Sequence, residues 1–450
     1  MHSGKLYKTQ DTLIVIFVIS SPIIRRPWFE VVSFCGLVAS CAASTVVKVA
    51  PAANGGWQLI RDGEPYVVRG AGGDTHLDEL KKIGGTTIRT WGIDQLDRQV
   101  NGKSLLERCH ELGLTVMAGI WIEHSRHGFD YSNPELLNRQ REAVRECVRR
   151  YKNHPAILMW GLGNEMEGPN ADGSDTRVWL ELEQLARIVK EEDPNHPICT
   201  VIAGAATAKV RSLMRDYTSL DILGVNAYGG AAGVGKAVAE AGWEKPFILA
   251  EFGPVGHWEV GLTAWGAPIE PLAKEKAANY YTAHKSVLAD SQGRCLGTFA
   301  FVWGQKQETT ATWYGMFLAT GEKLPAVDAV AYAWNGVWPV NRSPRIERLD
   351  AAFAGGVVAP LARLTVDAVV GDKDGDQLKF EWQIVAESTD RKEGGDHENT
   401  PPTFPDCVIK GDGPHAELCA PPSPGPYRVF LYVRDGHGGA SADNFPFLVK

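Results

Sequence analysis

Eight short apolar runs recur between residues 66 and 303, at 66–70, 86–91, 114–121, 156–161, 198–203, 222–226, 247–250 and 296–303, with helical patterns between them. Runs of this length, without polar alternation, read as strands buried on both faces, as in a parallel sheet. Strands alternating with helices argue for a parallel α/β architecture, and eight such units fit a (β/α)8 TIM barrel. The helix starts agree: Asn133 ahead of Pro134, Asp175, and Pro271 open patterns that run to 150, 192 and 290. A doubly wound open sheet is the alternative, but no glycine-rich phosphate loop follows the first run.

Two of the runs end in a glutamate, Glu165 after Asn164 and Glu251 after Ala250. A charge at the end of a buried strand is costly unless it is paired or used. In a barrel these ends face the site, and two carboxylates there fit the pair that flanks a scissile glycosidic bond. Retaining hydrolysis needs one carboxyl protonated and the other ionised. Arg89, ending the second run, and Tyr228, after the sixth, are the expected partners that hold Glu251 ionised. Asn164 is expected to hydrogen-bond the sugar 2-hydroxyl.

The stretch from Arg149 through His154, Pro155, Trp160 and Asn164 to Glu165 resembles the fourth-strand motif of clan A glycoside hydrolases. It is closest to the catalytic domains of glycoside hydrolase family 2, with kinship to family 5. The resemblance implies Glu165 as general acid/base and Glu251 as nucleophile, and it places Arg89 and Tyr228 at matching positions. It also implies Trp303 as the aromatic floor of the substrate subsite, and it sets Trp121, Glu123, His124 and His127 on a segment bordering the sugar. Glu123 is read either as a substrate-binding carboxylate or as a partner of Arg126, and Glu167 as a solvated loop charge. The loop 253–271, with His257, Trp258 and Trp265, is expected to be a substrate platform.

The implied activity is retaining hydrolysis of β-linked glycans or glycosides. A β-glucan transglycosylase would use the same two glutamates. A carbohydrate-binding protein on a decayed barrel is the reading of another class, and the presence of both carboxylates with Arg89 and Tyr228 argues against it. No metal cluster or dinucleotide fingerprint is found, so no metal and no cofactor is expected. The net charge of -8 gives no basic face for nucleic acid, and neutral sugars fit better, with 14 tryptophans to stack on them.

Residues 1–43 read as a leader. Its apolar stretches, 12–24 and 28–43, fall short of the roughly 20 residues of a membrane-spanning helix. The residues Val38 to Cys41 resemble a bacterial lipobox, which implies export with membrane attachment by a lipid on Cys41; a plain secretory cleavage near residue 43 is the alternative. Residues 44–338 form the expected barrel, with an Asp62-Gly63 hairpin ahead of it to close the floor. Residues 339–356 read as a linker, and alternating strands in 357–450 read as a β-sandwich resembling immunoglobulin-like modules of the polycystic-kidney-repeat or cadherin-like type. Within it, 388–402 reads as an exposed loop, and Cys407 and Cys419 as a disulfide pair. The Asp372–Asp376 turn lacks the sixth-position glycine and twelfth-position glutamate of an EF-hand, with Gln377 and Gln383 there instead, so a polar turn is expected.

Overall fold

The computed structural model describes residues 45–450 apart from 54, 169–171 and 393, together with the backbone of 8–9 and 12–13. The residues expected to carry leader cleavage and lipidation, Cys41 included, lie outside the described residues. No described helix is long and apolar enough to cross a membrane.

Eight parallel strands close into a barrel: β1 (Val68–Gly72), β2 (Thr87–Arg89), β3 (Thr115–Ile120), β4 (Ile157–Asn164), β5 (Ile198–Ala203), β6 (Ile222–Asn226), β7 (Phe247–Phe252) and β8 (Cys295–Phe301). β8 pairs back onto β1. The helices α1 (Leu77–Lys82), α2 (Leu105–Glu111), α3 (Pro134–Tyr151), α4 (Thr176–Glu192), α5 (Thr207–Asp216), α6 (Val234–Glu240), α7 (Ala273–Asp290) and α8 (Pro325–Asn335) follow the strands in turn. β3 and β7 are buried at every position, which is why they read as unbroken apolar runs. Asn133 Oδ1 accepts the Glu135 N–H at 3.0 Å and caps α3 ahead of Pro134, and Asp175 caps α4 through the Arg177 N–H.

Below the barrel, strands Val47–Pro51, Trp57–Arg61 and Glu64–Tyr66 form an antiparallel sheet. Its turn residues Asp62 and Gly63 have φ of 51° and 90°, as a two-residue turn with both central residues left-handed requires. Val47 and Leu59 pack with Met117, Met159, Cys199 and Ile248 of the barrel interior, so this sheet closes the N-terminal end.

After the barrel come β9 (Arg345–Asp350), β10 (Val357–Val358), β11 (Arg363–Gly371), β12 (Lys379–Ala386), β13 (Val408–Lys410), β14 (His415–Cys419), β15 (Gly425–Arg434) and β16 (Ala440–Val449). They form two sheets, ordered β9-β11-β14-β13 and β10-β16-β15-β12. Ile346, Val366 and Leu418 of the first meet Trp382, Val429, Leu431 and Phe447 of the second in one core, a sandwich.

Two sequence expectations change here, the linker and the cysteine pair, while the polar turn at 372–376 is as expected. β9 lies inside the expected linker 339–356; it turns Ile346 into the core between charged neighbours, too short a pattern beside Pro344 to read as a strand. Cys407 and Cys419 are free thiols, and Cys419 Sγ lies 3.4 Å from the Leu361 carbonyl, to which it donates. Asp372 Oδ1 accepts the N–H groups of Asp374, Gly375 and Asp376, a side-chain-closed turn, and carboxylate oxygens of Asp372, Asp374 and Asp376 lie within 4.8 Å of one another.

The sandwich also packs hard on the barrel. Residues 44–450 form one compact unit. The Ala440 N–H donates to the Lys323 carbonyl at 2.8 Å, and Leu318 and Leu324 share a small core with Ala440 and Ala442. Buried Arg428 donates to the Pro268 carbonyl at 2.6 Å and pairs with Glu387 at 2.7 Å. Asn444 Nδ2 donates to Glu270, which is itself paired with Lys276 at 2.7 Å.

Candidate active site

The C-terminal ends of the barrel strands bring Glu165, Glu251, Arg89, Asn164 and Tyr228 together. Glu251, on β7, is 5% exposed. Its Oε1 accepts from Arg89 Nη1 at 2.9 Å and Trp91 Nε1 at 3.1 Å, and its Oε2 accepts from Tyr228 Oη at 2.8 Å. Every one of these neighbours is a donor, an arrangement that an ionised carboxylate satisfies. Burial and the Glu251 charge push the Tyr228 phenol well above its ordinary range, so it remains a donor.

Glu165 follows the last residue of β4 at φ 53°, a left-handed conformation uncommon for a non-glycine residue. The Val201 carbonyl holds its N–H at 2.8 Å, and Asn226 Nδ2 donates to its Oε1 at 2.8 Å. Desolvation raises its pKa to about 7, with the nearby Glu251 charge adding to the rise. One cleft thus holds a carboxyl group pushed toward neutrality beside another surrounded by donors, the arrangement an acid and a nucleophile require.

Arg89 orders the bottom of the cleft. It is 2% exposed and donates through Nη1 to Glu251 and to the Ala250 carbonyl at 2.8 Å, and through Nη2 to Asn164 Oδ1 at 2.6 Å. Asn226 Nδ2 also reaches Asn164 Oδ1, at 3.2 Å. With its oxygen occupied by these donors, Asn164 keeps its amide NH2 for a ligand. Trp91 and Asn226 were not singled out from the sequence. Their signal was position alone: each ends or follows a buried strand, two residues from Arg89 and Tyr228 respectively.

The cleft above these groups measures about 1120 Å³, and Trp121, Trp258 and Phe301 line it. Trp258 meets Tyr228 edge-on at 5.6 Å, and Glu259 behind it accepts the N–H groups of Gly229 and Gly256. His257 contacts Tyr314 Oη at 3.1 Å, while Trp265 does not line the cleft.

Three residues depart from expectation. Trp303 is 1% exposed and lies outside the cleft. β8 ends at Phe301, and two residues later the indole packs on Phe317 and donates to the His76 carbonyl, leaving Phe301 as the lining aromatic. Glu123 has an exposed side chain outside the cleft lining and, among the described residues, no ion pair with Arg126; its backbone N–H and carbonyl are held by Gln140 and Tyr131 instead. Glu167 is buried rather than solvated, because Lys209 on α5 pairs with it at 3.1 Å and the Ala203 N–H donates to it. His124 lies buried against Trp121, its pKa lowered to about 4 by desolvation, so it is a neutral packing residue.

A closed (β/α)8 barrel with a pair of glutamates at its C-terminal mouth, one desolvated and one surrounded by donors, has the layout of a glycoside hydrolase domain. Residues 101–263 match the family model "Glycosyl hydrolases family 2, TIM barrel domain", a span that includes both Glu165 and Glu251. A beta-galactosidase of Leuconostoc mesenteroides subsp. mesenteroides is 27% identical over 182 residues, 40% of this chain and 16% of the relative. One of Oenococcus oeni is 27% identical over 157 residues, 34% of this chain and 14% of the relative. Among solved structures, Bacteroides uniformis beta-glucuronidase 2 aligns with a TM-score of 0.48 at 17% identity, covering 90% of this chain and 48% of that one. The chain therefore spans about a sixth of the curated relatives' length and about half of that solved relative's.

Proposed function

We propose that this chain is a retaining β-glycoside hydrolase acting on neutral β-linked glycans. The observation that carries the reading is the protonated-range Glu165, with a pKa of about 7, beside a Glu251 surrounded by donors. A Glu251 carboxylate oxygen attacks the anomeric carbon while Glu165 gives its proton to the departing glycosidic oxygen. The glycosyl-enzyme ester that forms has no charge on Glu251, so one cause of the raised Glu165 pKa is gone and Glu165 becomes a base. It then takes a proton from water, whose oxygen attacks the anomeric carbon and returns Glu251 as a carboxylate. The Asn164 amide, aimed by Arg89, is the donor for the 2-hydroxyl, where hydrogen bonding strengthens as charge builds on the ring.

Neutral substrate follows from the cleft's charges. Glu165, Glu251, Glu259, Glu308 and Asp396 line it, and its two lysines already have carboxylate partners, Lys306 with Glu308 at 2.6 Å and Lys392 with Asp390. The partial relatives named beta-galactosidase support the same sugar class.

Proton NMR of products from aryl β-glycosides and β-linked oligosaccharides, with wild type and Glu251→Ala, tests the reading. The expected first product is the β-anomer, from wild type alone, and longer oligomers would mark transfer to an acceptor sugar. An α-anomer first product, or no turnover of any β-glycoside, defeats it.

A further inference from the structure

The segment between β12 and β13, read over 388–402 as an exposed loop, is largely exposed among its described residues and also reaches the mouth of the barrel. Lys392, Gly394, Gly395 and Asp396 line the same cleft as Glu165 and Glu251. Their contacts fix where the segment runs. Gly394, at φ 62°, lies flat against Arg126 in the loop after β3; a Cβ built there would sit 2.2 Å from the guanidinium. Asp396 Oδ2 is 3.4 Å from His127 Nε2 in that same loop. Gly395 lies against the Lys306 ammonium, in the loop after β8. The sandwich thus touches both the β3 loop and the β8 loop and forms a wall of the cleft.

The wall is anchored. Glu398, 1% exposed, accepts the Thr309 N–H at 2.6 Å through one oxygen and the Lys392 N–H at 3.1 Å through the other. Arg391 donates to the Gly266 carbonyl and pairs with Glu387 at 3.0 Å, which continues into the buried Glu387–Arg428 pair. Beside the wall stands Trp121, 38% exposed, with His127 stacked against it at 6.4 Å. An indole face covers the apolar face of a pyranose, while a carboxylate accepts from ring hydroxyls and an ammonium donates to them. The cleft volume of about 1120 Å³ also exceeds the roughly 300–1,000 Å³ of a pocket for one drug-sized molecule.

We propose that Lys392, Gly394, Gly395 and Asp396 of the sandwich and Trp121 of the barrel form a subsite for a further ring of a neutral β-linked oligosaccharide, with Lys392 and Asp396 as its specificity-determining residues. This rests on the glycan-active reading above, but its test does not depend on turnover. Lys392→Ala/Asp396→Ala is compared with wild type on an aryl β-monoglycoside and on β-linked oligosaccharides of the same sugar. The expected result is a rise of about tenfold or more in oligosaccharide KM, with the monoglycoside kcat/KM within about threefold of wild type. Gly394→Val, which forces the segment off Arg126, is expected to reproduce this selective loss. Equal losses on both substrates, or none on either, overturn the proposal. If wild type turns over no glycoside, calorimetric titration with the same oligosaccharides decides alone: weaker binding by the double variant supports the subsite, and equal binding, or none by wild type, overturns it.

Discussion

Arg89, Asn226 and Glu251, at the bottom of the cleft, are 2%, 4% and 5% exposed, whereas Trp121 and Trp258, on its rim, are 38% and 60% exposed. The bottom groups sit at strand ends, and each is held by more than one hydrogen bond. The rim is carried by loops from two parts of the chain, including a segment of the sandwich. The difference follows from what each must do. Proton transfer and in-line attack tolerate little displacement, so their groups are locked by neighbours. Stacking on a sugar face tolerates more, so rim residues need only area and a correct side.

The sharpest challenge to this division is removal of residues 357–450. It strips the wall and uncovers Leu318, Leu324 and the Glu270–Lys276 pair, so the truncated barrel is expected to aggregate on expression. A soluble truncation that still cleaves aryl glycosides would show that the bottom works without that part of the rim. Glu251→Gln should leave a folded protein with kcat lowered about 10^4-fold or more. Residual turnover near wild type would remove it as nucleophile.

Glu165→Gln should cost about 10^3-fold on substrates with poor leaving groups and far less on activated aryl glycosides. The same variant tests the pH dependence. The wild-type acid loses its proton as pH rises through about 7, so kcat/KM for poor leaving groups should fall roughly tenfold per pH unit above that point. Its folded pKa lies above the ordinary 4.5. The associated stability is therefore fully present below about pH 4.5 and declines until about pH 7, and thermal melts of Glu165→Gln should lack that decline.

Trp91→Phe removes one donor to Glu251 and should lower kcat by about 10- to 100-fold with KM little changed. Trp258→Ala should do the reverse, raising KM by about tenfold with kcat near wild type. A kcat effect from Trp258 that equalled the one from Trp91 would erase the distinction between bottom and rim.

Legibility in the sequence follows a related division. The barrel was readable because a strand buried on both faces must be apolar throughout, and β5 and β6 coincide with the expected spans at both ends. The carboxylate pair was readable because a glutamate ending such a run is conspicuous. Glu167 looked like loop charge because its partner Lys209 is 42 residues away on a helix, and no local pattern links them. Trp303 misled because sequence does not tell where a strand stops turning its side chains inward, and β8 stops at Phe301. The wall of Lys392, Gly394, Gly395 and Asp396 was invisible for a plainer reason. A polar, glycine-containing stretch has no periodicity, and its position is set by Thr309, Arg126 and His127, far off in the chain.

The path of that wall has a consequence for biosynthesis. Ribosomes deliver the chain from its amino terminus, and domains generally fold in that order. Both glutamates and every strand of the barrel emerge before residue 388 does. A nascent barrel therefore waits with an unfinished mouth, with the Thr309 N–H not yet met by Glu398 and the Lys323 edge not yet met by Ala440. Until the sandwich arrives, the Leu318 and Leu324 surface is open to chaperones and to neighbouring nascent chains alike. Maturation of the cleft is tied to synthesis of the sandwich rather than to closure of the barrel.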